Sequence, residues 1–163
     1  MKIAFIGNCQ TIQLCAHFQE LKKDRENIRW ICYNPDMITS LAKKDNCYNK
    51  ITDTQEGIGF IQECDVVVYQ KINESTSPFF NKIIIKTYNP NAKFISVPSM
   101  YFNCDKYEMS MEELKRREIE NKVDVTITDV IEQYKDYEQL FISCNQPTDF
   151  LILQVVDKLY NFF

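Results

Sequence analysis

The chain has 163 residues and a formal net charge of -4, from 19 Lys and Arg against 23 Asp and Glu. That length suits one domain rather than two, and an acidic balance with scattered cations leaves no basic field for a nucleic-acid backbone. No apolar run approaches the roughly 20 residues that span a bilayer. The first run, Ile3 to Ile6 after Met1-Lys2, stops at Gly7 and predicts a buried strand rather than a signal peptide. Seven cysteines, an odd set without a C-x-x-C pair, indicate neither a disulfide framework nor a zinc site. A reducing cytoplasmic setting is expected, with no metal.

In chain order, Ile3 to Ile6, Ile28 to Tyr33, Val66 to Tyr69 and Phe94 to Val97 are short, nearly continuous apolar runs. They are rich in β-branched and aromatic residues, as strands covered on both faces are. A helix with Ile12, Leu14, Cys15, Phe18 and Leu21 on its apolar face follows the first run. Asp53-Thr54-Gln55-Glu56 reads as a capping box, and Ser77-Pro78 places proline in a first helical turn. Strands alternating with helices predict βαβ units, hence a three-layer α/β/α domain around a short, mostly parallel sheet.

After Val97 come a polar, aromatic loop (Pro98 to Glu108), a charged helix opened by Ser110-Met111-Glu112-Glu113, a helix around Val130 and a last helix from Pro147. Lys115-Arg116-Arg117 with Glu118 and Glu120 reads as a solvated helix face. Leu140-Phe141-Ile142 is either a fifth strand or a wall of the site. The apolar end, Leu159 to Phe163, docks on the core or meets a further domain or subunit.

Gly7-Asn8-Cys9-Gln10 lies where the first strand stops and the first helix begins. In a parallel sheet, strand carboxyl ends border the ligand crevice. Glycine allows a tight turn, unpaired helix N–H groups can cradle an oxyanion or phosphate, and the helix N-terminus favours a thiolate on Cys9. The plainer alternative is a buried cysteine closing a turn that Asn8 caps. An incomplete G-x-G-x-x-G pattern argues against dinucleotide binding.

Four segments in order, Gly7 to Gln10, Cys64 to Gln70, Val97 to Phe102 and Phe141 to Thr148, resemble the WcbI family of polysaccharide-biosynthesis proteins. The resemblance spans nearly the whole chain. It implies a fold similar to the SGNH (GDSL-like) hydrolases, coenzyme A binding, and acetyl transfer from acetyl-coenzyme A to a sugar of a surface glycan. By position, Cys9 stands where the SGNH group has its serine nucleophile, and Asn8, Gln70 and Gln146 complete the expected catalytic set. Gly7, Gln10, Lys71, Asn145 and Thr148 are expected to hold coenzyme A. From their place after the third strand, Lys71, Lys82 and Lys86 either receive the phosphates of coenzyme A or of a sugar nucleotide or form a solvated helix face. Tyr101, Asp105 and Asp149 are expected at the sugar.

One departure matters. Asn145-Gln146-Pro147 stands where the family commonly reads Asn-His-Pro, and glutamine takes up no proton at neutral pH. His17, the single histidine, lies eight residues past Cys9, about 12 Å along the same helix, and is expected to be structural. A sugar hydroxyl needs a base to attack a thioester, whereas an amine does not. N-acetylation of a nucleotide-linked amino sugar is therefore the expected reaction, by direct transfer. Two alternatives stay open: an SGNH-type acyl hydrolase, and a non-catalytic coenzyme A or sugar-nucleotide binding module serving a glycosyltransferase.

Overall fold

The computed structural model describes residues 1–32, 51, 53–71, 82–100, 110–143 and 146–163. The four apolar runs form β1 (Ile3–Gly7), β2 (Ile28–Cys32), β3 (Val66–Gln70) and β4 (Lys93–Val97). They pair in parallel in the order β2-β1-β3-β4. Parallel neighbours need crossovers, and helices supply them. α1 (Cys9–Lys22) joins β1 to β2, α2 (Thr54–Gln62) precedes β3, and α3 (Lys82–Tyr88) precedes β4.

Every residue of β1 and β3 is buried, as central strands covered on both faces must be. Phe5, Val66, Val68, Ile95 and Val97 face Ile12, Leu14 and Phe18 of α1. Ala4, Ile6, Val67 and Tyr69 pack on the other side with Ile61 of α2 and Ile85 of α3. The result is the expected three-layer α/β/α fold. Its strand order reverses direction between β1 and β3, so the carboxyl ends of those two strands flank the crevice where open α/β sheets hold ligands.

The rest of the chain runs through α4 (Met111–Asn121), α5 (Thr128–Tyr134), β5 (Phe141–Ser143), β6 (Gln146–Pro147) and α6 (Asp149–Tyr160). Phe141 to Ser143 is a strand, but it pairs antiparallel with β6 outside the main sheet. Its exposed Ile142 and Ser143 could not occupy a core strand. The last helix begins at Asp149 rather than Pro147, because Thr148 is its N-cap and accepts from the Leu151 N–H. Asp53 caps α2 by accepting from the N–H groups of Gln55 and Glu56, while the Glu56 carboxylate reaches Arg29. Ser77 and Pro78 lie outside the described residues.

Two expectations need correcting. Leu21 is exposed rather than core; the inward position of the last turn belongs to Gln19, whose side-chain amide donates to the Ile28 carbonyl at 2.6 Å. Glu118 is not part of the solvated face. On that face Arg116 pairs with Glu113 and Glu120 and Arg117 with Glu113, while Lys115 reaches Glu132 of α5, but Glu118 is only 5% exposed. Its carboxylate accepts from the N–H groups of Ile127 and Thr128 and from the Thr128 hydroxyl. α5 has no side-chain cap of its own, so Glu118 of α4 supplies one from a neighbouring helix.

The apolar chain end docks on the core. Leu159 is buried, the Phe163 ring lies 5.0 Å from that of Phe18, and Lys93 donates to the Phe162 carbonyl at 2.6 Å. No helix among the described residues is long and apolar enough to cross a membrane.

Replacing Glu118 by Ala strands three donors, so Glu118→Ala should lower unfolding stability by about 3 kcal/mol. Glu118→Gln, which keeps an acceptor oxygen, should lose less. Urea unfolding curves measure both.

Candidate functional site

β1 ends at Gly7 and α1 begins at Cys9, with Asn8 as the N-cap between them. The Asn8 side-chain oxygen accepts from the Gln10 N–H at 2.9 Å. Asn8 is half-buried, and Cys9, the first helical residue, is exposed. Cys15 and Cys64 are buried, and burial pushes the Cys64 thiol up to about 12. Among the cysteines whose side chains are described, Cys9 alone is exposed. Cys47, Cys104 and Cys144 lie outside the described residues.

Beneath this turn sits a buried pair of side-chain amides. The Gln70 Oε1 atom accepts from the Asn8 N–H at 3.1 Å and from the Thr11 hydroxyl at 3.0 Å. Its Nε2 donates to Gln10 Oε1 at 2.6 Å and to Ser99 Oγ at 3.5 Å. Gln10 in turn accepts from the Met100 N–H at 2.9 Å and donates to the Met100 carbonyl at 2.7 Å. Both amide orientations follow from these partners, because an N–H can only donate and a carbonyl can only accept. Gln10 and Gln70 are 2% and 5% exposed, so each unmade bond here would carry a full desolvation cost.

Gly7 belongs to the same assembly. A Cβ added there would lie 2.0 Å from Thr11 Oγ1 and 2.8 Å from Gln70 Oε1. The close approach that glycine permits is thus to Gln70 and Thr11, inside the chain. The expected cradle of unpaired N–H groups is also largely spent: Asn8 bonds Gln70, Gln10 bonds the Asn8 side chain, and Thr11 and Ile12 bond the Asn8 carbonyl. With its oxygen engaged by the Gln10 N–H, the Asn8 side chain has its nitrogen as a donor.

Around this centre the expected residues are distributed unevenly. Lys71 follows β3, and its ammonium donates to the Asn121 carbonyl at the end of α4. Segment 121–125 is held at the outer edge of β4, where the N–H groups of Asp124 and Val125 both reach the Ser96 carbonyl at 3.1 Å. Lys82 and Lys86 lie over the rings of Tyr69 and Phe94, in the layer opposite α1, and do not join Lys71.

Gln146 is exposed on β6, opposite Ser143. The Thr148 hydroxyl, besides capping α6, donates to the Gln139 carbonyl. Asp149 opens α6, and its carboxylate stands 3.7 Å from the imidazole of His17 on α1. Tyr101, Asp105 and Asn145 lie outside the described residues. Thr11 and Ser99 were absent from the sequence-based set. Their signal was a polar residue, Gln70, closing an otherwise apolar strand, beside two polar residues, Gln10 and Thr11, in the first turn of a helix that must pack on it.

The whole arrangement has a structural counterpart. A solved structure of WcbI, described as a novel polysaccharide biosynthesis enzyme, matches with a TM-score of 0.70 and 14% identity, covering 99% of this chain and 68% of that one. The chain has a WcbI-like fold. That structure is described as the native protein without a disulfide bond between coenzyme A and one of its cysteines. No family model and no curated protein matches the chain. Among the described residues, no group of three or more His, Cys, Asp or Glu side chains is arranged to hold a metal ion.

Two outcomes follow from this geometry. Alkylation of the folded protein, mapped by mass spectrometry, should label Cys9 before Cys15 and Cys64, and labelling of Cys64 should require unfolding. Gly7→Ala, which forces a Cβ against Thr11 and Gln70, should cost on the order of 3 kcal/mol in chemical denaturation.

Proposed function

We propose that this chain binds coenzyme A thioesters at the carboxyl edge of its sheet, over Cys9, and transfers the acyl group to a sugar in cytoplasmic glycan biosynthesis. One observation carries the reading: an exposed cysteine at a helix N-terminus, at the switch point between β1 and β3. It is supported by the fold shared with WcbI, whose description names both coenzyme A and a cysteine.

Acetyl is the acyl group and an amino sugar, nucleotide-linked, the acceptor that fits best. The neutral amine attacks the thioester carbonyl, the carbon–sulfur bond breaks, and coenzyme A leaves as a thiolate that takes up the proton released by nitrogen. No base is needed, and Gln146 could not serve as one. Catalysis then rests on positioning and on a donor for the carbonyl oxygen, the role given to the amide nitrogen of Asn8. Lys71 and Gln146 border the donor and acceptor, with Tyr101, Asp105 and Asn145 as further contacts. Gln10, Gln70 and Gly7 act from beneath rather than on the substrate, and Thr148 through its cap on α6.

The committed N–H groups of the turn favour one other reading, a module that binds coenzyme A or a sugar nucleotide for a glycosyltransferase without catalysis. Incubation with acetyl-coenzyme A and a panel of amino sugars, followed by thiol release, separates the two.

Coenzyme A should raise the unfolding temperature in proportion to the logarithm of its concentration above Kd; a flat response at millimolar ligand would contradict binding. Cys9→Ala should slow direct transfer by roughly tenfold through lost positioning. An acylated enzyme seen by intact mass on the turnover timescale would instead return the site to covalent catalysis. Gln146→His, which introduces a base, should add transfer to a hydroxyl acceptor.

A further inference from the structure

We infer that Thr11 is a positioning residue for Cys9, acting with Gln70 and Gln10 to fix the first turn of α1 from beneath; its catalytic half rests on the acyl-transfer reading above. The Asn8 N–H and the Thr11 hydroxyl meet on a single oxygen, Gln70 Oε1, at 3.1 and 3.0 Å. Those two residues bracket Cys9 in sequence, so both ends of the segment carrying the sulfur are pinned to the end of β3. Cys9 itself is exposed.

A threonine in a helix commonly bonds its own backbone. Here Thr11, at 0% exposure, donates across to a neighbouring strand. The Gln70 amide cannot turn to avoid it. Its oxygen is required by the Asn8 N–H, and its nitrogen by Gln10, whose own orientation is set by both polar groups of the Met100 backbone. A hydroxyl is therefore needed at position 11, and Gly7 is needed so that the hydroxyl and the amide can approach. A bracket of this kind places a reacting atom to within the tolerance that catalysis demands.

The test uses Thr11→Val, which keeps the shape and removes the donor, beside Thr11→Ser, which keeps the donor. Loosening the turn takes Cys9 out of the field of the helix N-terminus, so iodoacetamide should alkylate the Val variant about two- to fivefold more slowly at neutral pH. In the transfer assay its kcat should fall by about tenfold with KM for acetyl-coenzyme A unchanged. Thr11→Ser should restore both. A folded Val variant with a lower Tm but the wild-type alkylation rate would reduce Thr11 to a packing residue and overturn the inference. Should the Val variant not fold, Thr11→Ala, which leaves a gap instead of a methyl against the amide oxygen, is read by the same alkylation criterion. If the wild-type chain neither binds coenzyme A nor transfers, the acyl-transfer reading fails by itself, and the alkylation comparison still decides the role of Thr11.

Discussion

The buried hydrogen bond between Gln10 and Gln70, with the bonds each amide makes to its neighbours, ties together the described residues around the β1–α1 turn. Through them the end of β3 holds the β1–α1 turn, and the segment after β4 is held to α1 through Met100. Two amides in apolar surroundings are costly unless every polar atom finds a partner. Here the Asn8 N–H and both polar groups of the Met100 backbone, whose donor or acceptor character cannot change, fix the two amides. The pair is therefore a rigid connection rather than an adaptable one, and it explains three features together: why position 7 is glycine, why position 11 bears a hydroxyl, and why the apolar run of β3 ends in glutamine.

The sheet and its crossovers were legible in the sequence because each depends on local chemistry. Runs such as Val66-Val67-Val68-Tyr69 have no stable place except a strand buried on both faces, and Asp53 and Ser110 mark helix starts by the bonds their side chains make to nearby N–H groups. Glu118 was misread because its partners, Ile127 and Thr128, lie on the next helix. Within its own segment it is one more charge beside Lys115, Arg116 and Arg117. Cooperation between distant segments leaves little local trace.

The same distinction divides the site. Cys9 could be placed at a strand-to-helix turn from spacing alone, and the structure finds it exposed there. The role of Gln70 could not be read that way. A polar residue at a strand end is equally suited to a ligand or to a buried partner, and only the hydrogen bonds to Asn8, Thr11 and Gln10 distinguish them. Lys82 and Lys86 follow β3 in sequence as Lys71 does, yet helix geometry carries them over the rings on the other side of the sheet. Among the described residues of the turn, Cys9 is exposed and Asn8 half-buried.

Whether coenzyme A lies over Cys9 is most directly measured by footprinting that thiol. Iodoacetamide labelling of Cys9, followed by mass spectrometry across graded coenzyme A, should slow in a saturable manner and with the same midpoint as binding measured by calorimetry. Labelling of Cys9 that proceeds at the same rate with and without saturating coenzyme A would contradict a ligand seated at the β1–α1 turn.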